Sequence, residues 1–148
     1  MSAIASFVRF PRELLPLLKQ AASPTNLLSA RGTVVAHYRW SGYVLATLLP
    51  YLSQRRQIDL MGDEKDLTDH LCKKLSATCC IFTAAQKDNH LDALCVEKFS
   101  QEELRDNFNR FNASNDSGVG EAMLDGVRAI HKSLASLDAN SVIVFTIG

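Results

Sequence analysis

The segment at residues 141–147, SVIVFTI, most constrains the fold of this chain. It is apolar at consecutive positions, which is typical of a strand that is buried on both faces. A lone strand leaves its backbone N–H and C=O groups unpaired, so other strands must pair with it. Residues 2–10 (SAIASFVRF) and 78–83 (TCCIFT) have the composition of strands, and residues 33–38 (TVVAHY) could form a short edge strand.

Helix signals separate these strand-like runs. Ser41 and Asp63 have the side chains of helix N-caps. Ser100 and Glu103 form the pattern of a capping box. The polar residues 22–31 indicate a loop. The strongest helix is predicted near the end of the chain, where apolar residues recur every three or four positions: Met123, Val127, Ile130, Leu134 and Leu137.

These patterns predict a single compact domain over residues 1–148, because 148 residues is an ordinary length for one domain. Three or four strands and five or six helices indicate an α+β (or α/β) fold, with a small mixed sheet covered by helices. No glycine-rich loop follows the first strand, which disfavours a doubly wound nucleotide-binding sheet. A composition of 47% hydrophobic and 22% charged residues excludes a disordered chain.

The formal net charge of zero conceals an asymmetry. Residues 1–62 hold seven cations and two anions, and residues 63–148 hold nine cations and fourteen anions. Either the two halves intermix and neutralise each other locally, or an arginine-rich face meets an acidic partner. The chain has neither a basic stripe nor a recognisable nucleic-acid-binding module, so we expect no nucleic-acid partner.

The sequence also predicts a compartment. No apolar run reaches the roughly 20 residues that span a bilayer, and no basic segment precedes the apolar N-terminus as in a signal peptide. We therefore expect a cytoplasmic protein with no membrane partner, in which the four cysteines are reduced.

The segment from His37 to Ser41 is the richest cluster of candidate binding residues. It contains Tyr38, Arg39 and the only tryptophan, Trp40. Because Ser41 marks a helix start, free backbone N–H groups and Arg39 could hold an anion there. Trp and Arg are also the residue types that dominate interface hot spots. The structural alternative is that Ser41 only caps the helix while Tyr38 and Trp40 pack on the core.

Other candidate sites favour structural interpretations. Gly118 and Gly120 could cradle a phosphate, but the motif lacks the lysine of a P-loop, and Glu121 would repel an anion. Six cysteines and histidines lack the spacing of a zinc site: His70, Cys72, Cys79, Cys80, His90 and Cys95. His131 lies beside an apolar stripe and is interpreted as a half-buried histidine. We therefore expect no catalytic group, no metal and no cofactor.

Three stretches together resemble the YfbM-like group of uncharacterised bacterial proteins. They are SAIASFVRFPRELL, RWSGYVLATLLPYL and the closing GEAMLDGVRAIHKSLASLDANSVIVFTIG. The resemblance is one of layout, a strand near the start and a long helix leading into a final strand that ends in glycine. It implies an α+β bacterial cytoplasmic domain. It carries no catalytic motif and no functional residue.

The leading functional hypothesis is a non-enzymatic protein–protein interaction module, of the immunity or antitoxin type, whose partner is another protein or a second copy of the chain. Arg39 and Trp40 would contact the partner, with His37 and Tyr38 at the rim. The alternative is a small enzyme or ligand-binding protein with an anion site at the helix start near Ser41. There His37 would act as acid or base and Arg39 would hold the substrate.

Overall fold

A computed structural model of the protein describes residues 3–148, so Ser2, where the first predicted strand begins, lies outside the described residues. The regular elements follow one another in this order: β1 (Ala5–Pro11), α1 (Leu15–Gln20), α2 (Pro24–Arg31), β2 (Thr33–Ala36), α3 (Gly42–Arg56), α4 (Lys65–Leu75), β3 (Thr78–Phe82), α5 (Ala84–His90), α6 (Gln101–Asn112), α7 (Val119–Ala135) and β4 (Ser141–Ile147). Short 3₁₀ turns lie at Arg12–Leu14, Asp92–Leu94 and Val96–Lys98.

The four strands form one sheet in the order β2-β1-β4-β3. This confirms the predicted α+β class and the short edge strand. The sheet is antiparallel throughout its described strands, whereas a mixed sheet was expected. A helix between two strands often makes a parallel crossover, but α1 and α2 together return the chain so that β2 runs opposite to β1.

β4 is buried on both faces, as predicted. Val142 and Val144 belong to an apolar cluster that α1, α2 and α4 cover. Ile143 and Phe145 belong to a second cluster, on the opposite face, that α3, α6 and α7 cover. There the ring of Phe145 lies 4.8 Å from that of Phe7 in the neighbouring strand. The sheet is therefore enclosed between two layers of helices.

The prediction of a loop at residues 22–31 is wrong, because Pro24–Arg31 is α2. The Ser23 hydroxyl accepts a hydrogen bond from the Asn26 N–H at 3.3 Å. Pro24 occupies the first turn, where backbone N–H groups have no partner within the helix. The N–H that proline lacks therefore costs no helical hydrogen bond. Leu28 buries the helix against the sheet. The residues that indicated a loop are thus the start signals of a short helix, and the described residues contain seven α-helices where five or six were expected.

Two of the three predicted N-terminal caps are present. The Ser41 hydroxyl caps α3, and the Ser100 hydroxyl accepts from the Glu103 N–H at 3.2 Å. The Asp63 cap is wrong: α4 begins two residues later, and the Asp63 carboxylate accepts from the Thr83 hydroxyl at 2.6 Å. Asp63 therefore ties the start of α4 to the end of β3.

α7 has the predicted apolar stripe, with Met123, Val127, Ile130 and Leu134 fully buried. Its position depends on glycine. A Cβ at Gly120 would lie 2.6 Å from the Gln101 carbonyl oxygen of α6, and one at Gly126 would lie 2.8 Å from side chains of α3. Close approach of α6 and α3 thus fixes α7 over the sheet, and the polar side of α7 borders β2.

Candidate functional site

β2 forms one edge of the sheet, where it pairs with β1 alone among the described strands. At the start of β1, Ile4 and Gly148 exchange both of their N–H···O bonds, at 2.8 and 3.0 Å. Bonding in an antiparallel ladder alternates, so the odd-numbered residues of β1 bond toward β2. Arg9 is the partner of Thr33. The N–H and C=O of the next residue, Val34, therefore point outward from the sheet.

This edge is short and irregular. The register shifts between the pairs Phe7–Ala36 and Val8–Val34, which leaves Val35 as the extra residue of a β-bulge. Val35 packs against the core, whereas Val34 is 53% exposed. Short, bulged edges limit uncontrolled pairing between chains. The affinity for any strand that pairs with β2 would therefore depend on contacts with the side chains that lie on the two faces of the sheet at this edge.

The chain after β2 is attached to α7 by two aromatic side chains. The Tyr38 hydroxyl donates to the Ala122 carbonyl oxygen at 2.7 Å. The Trp40 indole N–H donates to Asp125 Oδ2 at 2.8 Å. Both rings pack against the core cluster, and burial, with a smaller effect of the Asp125 charge, raises the pKa of Tyr38. Tyr38 and Trp40 thus pack on the core and attach the loop to α7, as the structural interpretation of these two residues expects.

Arg39 projects from the same loop toward solvent. Its guanidinium lies 4.9 Å from the centroid of the Trp40 ring. It forms ion pairs with Glu121 at 3.3 Å and with Asp125 at 3.8 Å. A cation of the first half of the chain is therefore paired with anions of the second half, as the local-neutralisation interpretation predicts. Its side chain is still 72% exposed.

A cleft of about 730 Å³ lies between this loop, β2 and α7. We call it the cationic cleft, after its charged wall residues Arg39, Arg128, Lys132 and Asp125. Arg128 pairs with Asp125 at 2.7 Å, and Lys132 has no ion-pair partner within residues 3–148. With Glu121 included, three cations face two carboxylates, so the cleft holds a net positive charge. His37 also lines it and is exposed.

A second cleft, of about 630 Å³, lies on the other face of the same edge, beside α2 and the end of α4. Among the described residues that line it, none has a charged side chain, while Ser6, Thr25, Ser29 and Thr146 contribute hydroxyl groups. We call it the apolar cleft, after its six apolar side chains. Ile4, which is 72% exposed, and Val34 line both clefts. The other apolar side chains that line it are Val8, Leu28, Leu75 and Ala77.

The first turn of α3 has no backbone N–H available for an anion. The Gly42 N–H donates to the Ala3 carbonyl oxygen at 2.8 Å. The Tyr43 and Val44 N–H groups donate to the hydroxyl and the carbonyl oxygen of Ser41, at 3.3 and 3.0 Å. Ser41 does not line the cationic cleft. The five candidate residues are thus separated by role: His37 and Arg39 are available, while Tyr38, Trp40 and Ser41 hold the local structure.

The remaining candidate groups do not line the cationic cleft. Gly118 donates to Asp116 Oδ1 at 2.9 Å in a polar turn. His131 and Cys95 line a small cleft of about 210 Å³ without a hydrogen bond between them in the described chain. Burial is the main cause that raises the pKa of Cys79 to about 12 and of Cys80 to about 11. Within residues 3–148, no three His, Cys, Asp or Glu side chains come close enough together to hold a metal ion.

Sequence reasoning missed the acidic and basic residues of α7 as part of this site. Asp125, Arg128 and Lys132 were recognisable as the polar face of the last helix. Their distance of more than 80 residues from the loop concealed that the two segments meet. No sequence pattern indicated that the Val34 N–H and C=O face outward, because a strand of four residues does not reveal which of its two edges is paired.

In comparisons with known proteins, the chain matches no family model, no curated protein and no solved structure. The resemblance to the YfbM-like group therefore stays an expectation. Among the helices of residues 3–148, none has both the length and the apolarity needed to cross a membrane.

Proposed function

We propose that this protein is a non-enzymatic protein–protein interaction module that binds an extended segment of another protein along β2. The observation that carries the proposal is a strand edge that no described strand pairs with, with outward main-chain groups at Val34 and a cleft on each face. Extended peptides add to such edges through main-chain hydrogen bonds, and side-chain clefts give specificity. An immunity or antitoxin-type protein, which covers a surface of its partner, is a concrete form of this function.

The local chemistry supports binding over catalysis at this place. His37 is exposed, and no hydrogen bond joins it to Ser41 within the described chain. The Ser41 hydroxyl is already an acceptor in the helix cap, and Arg39 already faces two carboxylates. An anion site near Ser41 would need free N–H groups in the first turn of α3, and the N–H groups of Gly42, Tyr43 and Val44 are already bonded. The structure therefore offers no observation that favours the anion-binding enzyme as a second candidate.

Charge favours a foreign segment over a second copy of the chain. Antiparallel pairing of two β2 strands through their outward groups would place the two-fold axis at Val34, so Arg31 would lie opposite His37 of the other copy, two residues from its Arg39. Like charges brought together across an interface oppose association. An acidic segment would meet the same cations favourably, so we propose a partner segment with acidic side chains.

The test is selection of displayed random peptides on the protein, followed by affinity measurements on variants. Val34→Pro removes the outward N–H without removing a bond to β1, and proline is tolerated at a solvent-facing edge position. Val34→Thr keeps the N–H and is the matched control. We expect selected peptides to bind Val34→Thr and to lose at least about tenfold in affinity for Val34→Pro relative to Val34→Thr, because both variants lose the valine side chain and only Val34→Pro loses the N–H.

Three results would overturn the proposal. One is a selection that yields no binding peptide, and another is equal affinity of the peptides for both Val34 variants. The third is a sedimentation experiment in which the protein forms a dimer that Val34→Pro dissociates, because the edge would then belong to a second copy. Far-UV circular dichroism of Val34→Pro separates lost binding from lost folding. If that variant unfolds, Lys132→Glu replaces it, with Lys19→Glu on α1 as the control.

A further inference from the structure

The two clefts on either side of β2 differ in chemistry, and this difference specifies the partner. The cationic cleft has Arg39, Arg128 and Lys132 in its wall. No described residue that lines the apolar cleft has a charged side chain, and its polar lining consists of the hydroxyl groups of Ser6, Thr25, Ser29 and Thr146. The clefts lie on opposite faces of the sheet, since one is bounded by α7 and the other by α2 and α4. The two share Ile4, Ser6 and Val34, so both open onto the same edge.

Successive side chains of a β-strand point to opposite faces of its sheet. A segment that adds to β2 would therefore direct every second side chain toward the cationic cleft and the intervening ones toward the apolar cleft. From this we infer that the protein recognises an extended segment in which acidic and apolar residues alternate. This inference rests on the proposed function, because it assumes that the segment pairs with β2.

The cations of the cationic cleft favour acidic residues at the segment positions that face this cleft. Lys132 is exposed and has no ion-pair partner within residues 3–148. Arg39 pairs with Glu121 and Asp125, Arg128 pairs with Asp125, and the two arginine side chains are 72% and 54% exposed. A carboxylate in the cleft would therefore meet one cation that no described side chain pairs with, Lys132, and two exposed guanidinium groups. A cationic side chain there would add to the net positive charge and would be rejected.

Exposed apolar side chains at the apolar cleft favour apolar residues at the segment positions that face this cleft. Ile4 and Val34 are both largely exposed at the mouth of the apolar cleft, while Leu28 and Leu75 form part of its wall. Covering such side chains is favourable because it removes apolar surface from water. A charged side chain directed into the same cleft would lose water and would find hydroxyl groups but no described side chain of opposite charge. Composition alone therefore does not specify the ligand, because the order of the residues matters.

The experiment uses three synthetic octapeptides and the whole protein, with affinities measured by fluorescence anisotropy. The first alternates Glu and Val, the second has the same composition as a block of Glu followed by a block of Val, and the third alternates Lys and Val. We expect the alternating Glu/Val peptide to bind at least about tenfold more tightly than either of the others.

Two variants assign the faces. Lys132→Glu should weaken binding of the Glu/Val peptide, while Lys19→Glu should not. Ile4→Ser should also weaken it, while Leu17→Ser, at a residue of α1 that is 50% exposed, should not.

If the alternating and block peptides bind with equal affinity, and both lose affinity for Val34→Pro, the alternation is wrong and the proposed function stands. Tighter binding of the Lys/Val peptide would contradict the assignment of the cationic cleft. If peptides from the random selection also fail to bind, the proposed function itself fails.

Discussion

Trp40 and Asp125 are joined by a hydrogen bond of 2.8 Å between the indole N–H and a carboxylate oxygen, and this bond attaches the loop after β2 to α7. The same carboxylate pairs with Arg39 and Arg128. One partly buried contact thus positions two of the three cations of the cationic cleft.

We predict that Trp40→Phe lowers the free energy of unfolding by about 1.5–3 kcal/mol, because a hydrogen bond to a charged group contributes about that amount. Urea unfolding measures the change. The double variant with Asp125→Ala should lose less than the sum of the single variants, since the two side chains share one bond and alanine offers no acceptor. Additive losses would show that the bond does not stabilise the loop.

Close helix packing at Gly120 gives a second prediction. A Cβ there would lie 2.6 Å from a backbone oxygen of α6, and overpacking of this kind destabilises by about 1–3 kcal/mol. Gly120→Ala should therefore lower the denaturant midpoint. Gly118→Ala is the matched control, because the nearest atom to its Cβ would be 3.7 Å away. Similar midpoints for the two variants would contradict the packing described for α6 and α7.

The buried thiols predict a pH dependence of stability. Their usual pKa of 9.0 applies to the unfolded chain, whereas burial raises the pKa of Cys79 to about 12 and of Cys80 to about 11. Below pH 9 both states hold these protons, and above it the unfolded state releases them first. The folded state then binds more protons, so the free energy of unfolding falls as pH rises from about 9 toward 12.

The variant Cys79→Ala/Cys80→Ala should have a shallower decline across this pH window, measured by urea unfolding at several pH values. Cys95→Ala is the control and should decline as the wild type does, since Cys95 is only half-buried. Equal slopes in all three proteins would show that the thiols do not remain protonated in the folded state.

The sequence predicts the elements of this fold better than their arrangement. The apolar stripe of α7 and the doubly buried β4 follow from local periodicity, and both are confirmed. α2 was missed because Ser23 and Pro24 are as typical of turns as of helix starts. The direction of β2 depends on how two helices return the chain, which no local pattern specifies.

The segment from His37 to Ser41 was recognisable in the sequence by its residue types, but its surroundings were not. His37, Tyr38, Arg39 and Trp40 line the cationic cleft, whereas Ser41 does not. The division of the segment into anchors and exposed groups depends on α7, whose Ala122 and Asp125 lie far along the chain. Only the tertiary structure reveals that the Trp40 indole is hydrogen-bonded to α7 while the Arg39 side chain is exposed.

Amide hydrogen exchange at Val34, followed by NMR, tests the central claim most directly. In the free protein the Val34 N–H should exchange quickly, because it points to solvent, while the Thr33 N–H, bonded to β1, should be protected. Binding of the alternating Glu/Val octapeptide, or of a peptide from the random selection, should slow exchange at Val34 and leave Thr33 unchanged. Binding with no added protection of Val34, or a Val34 N–H that is already protected in the free protein, would contradict pairing at this edge.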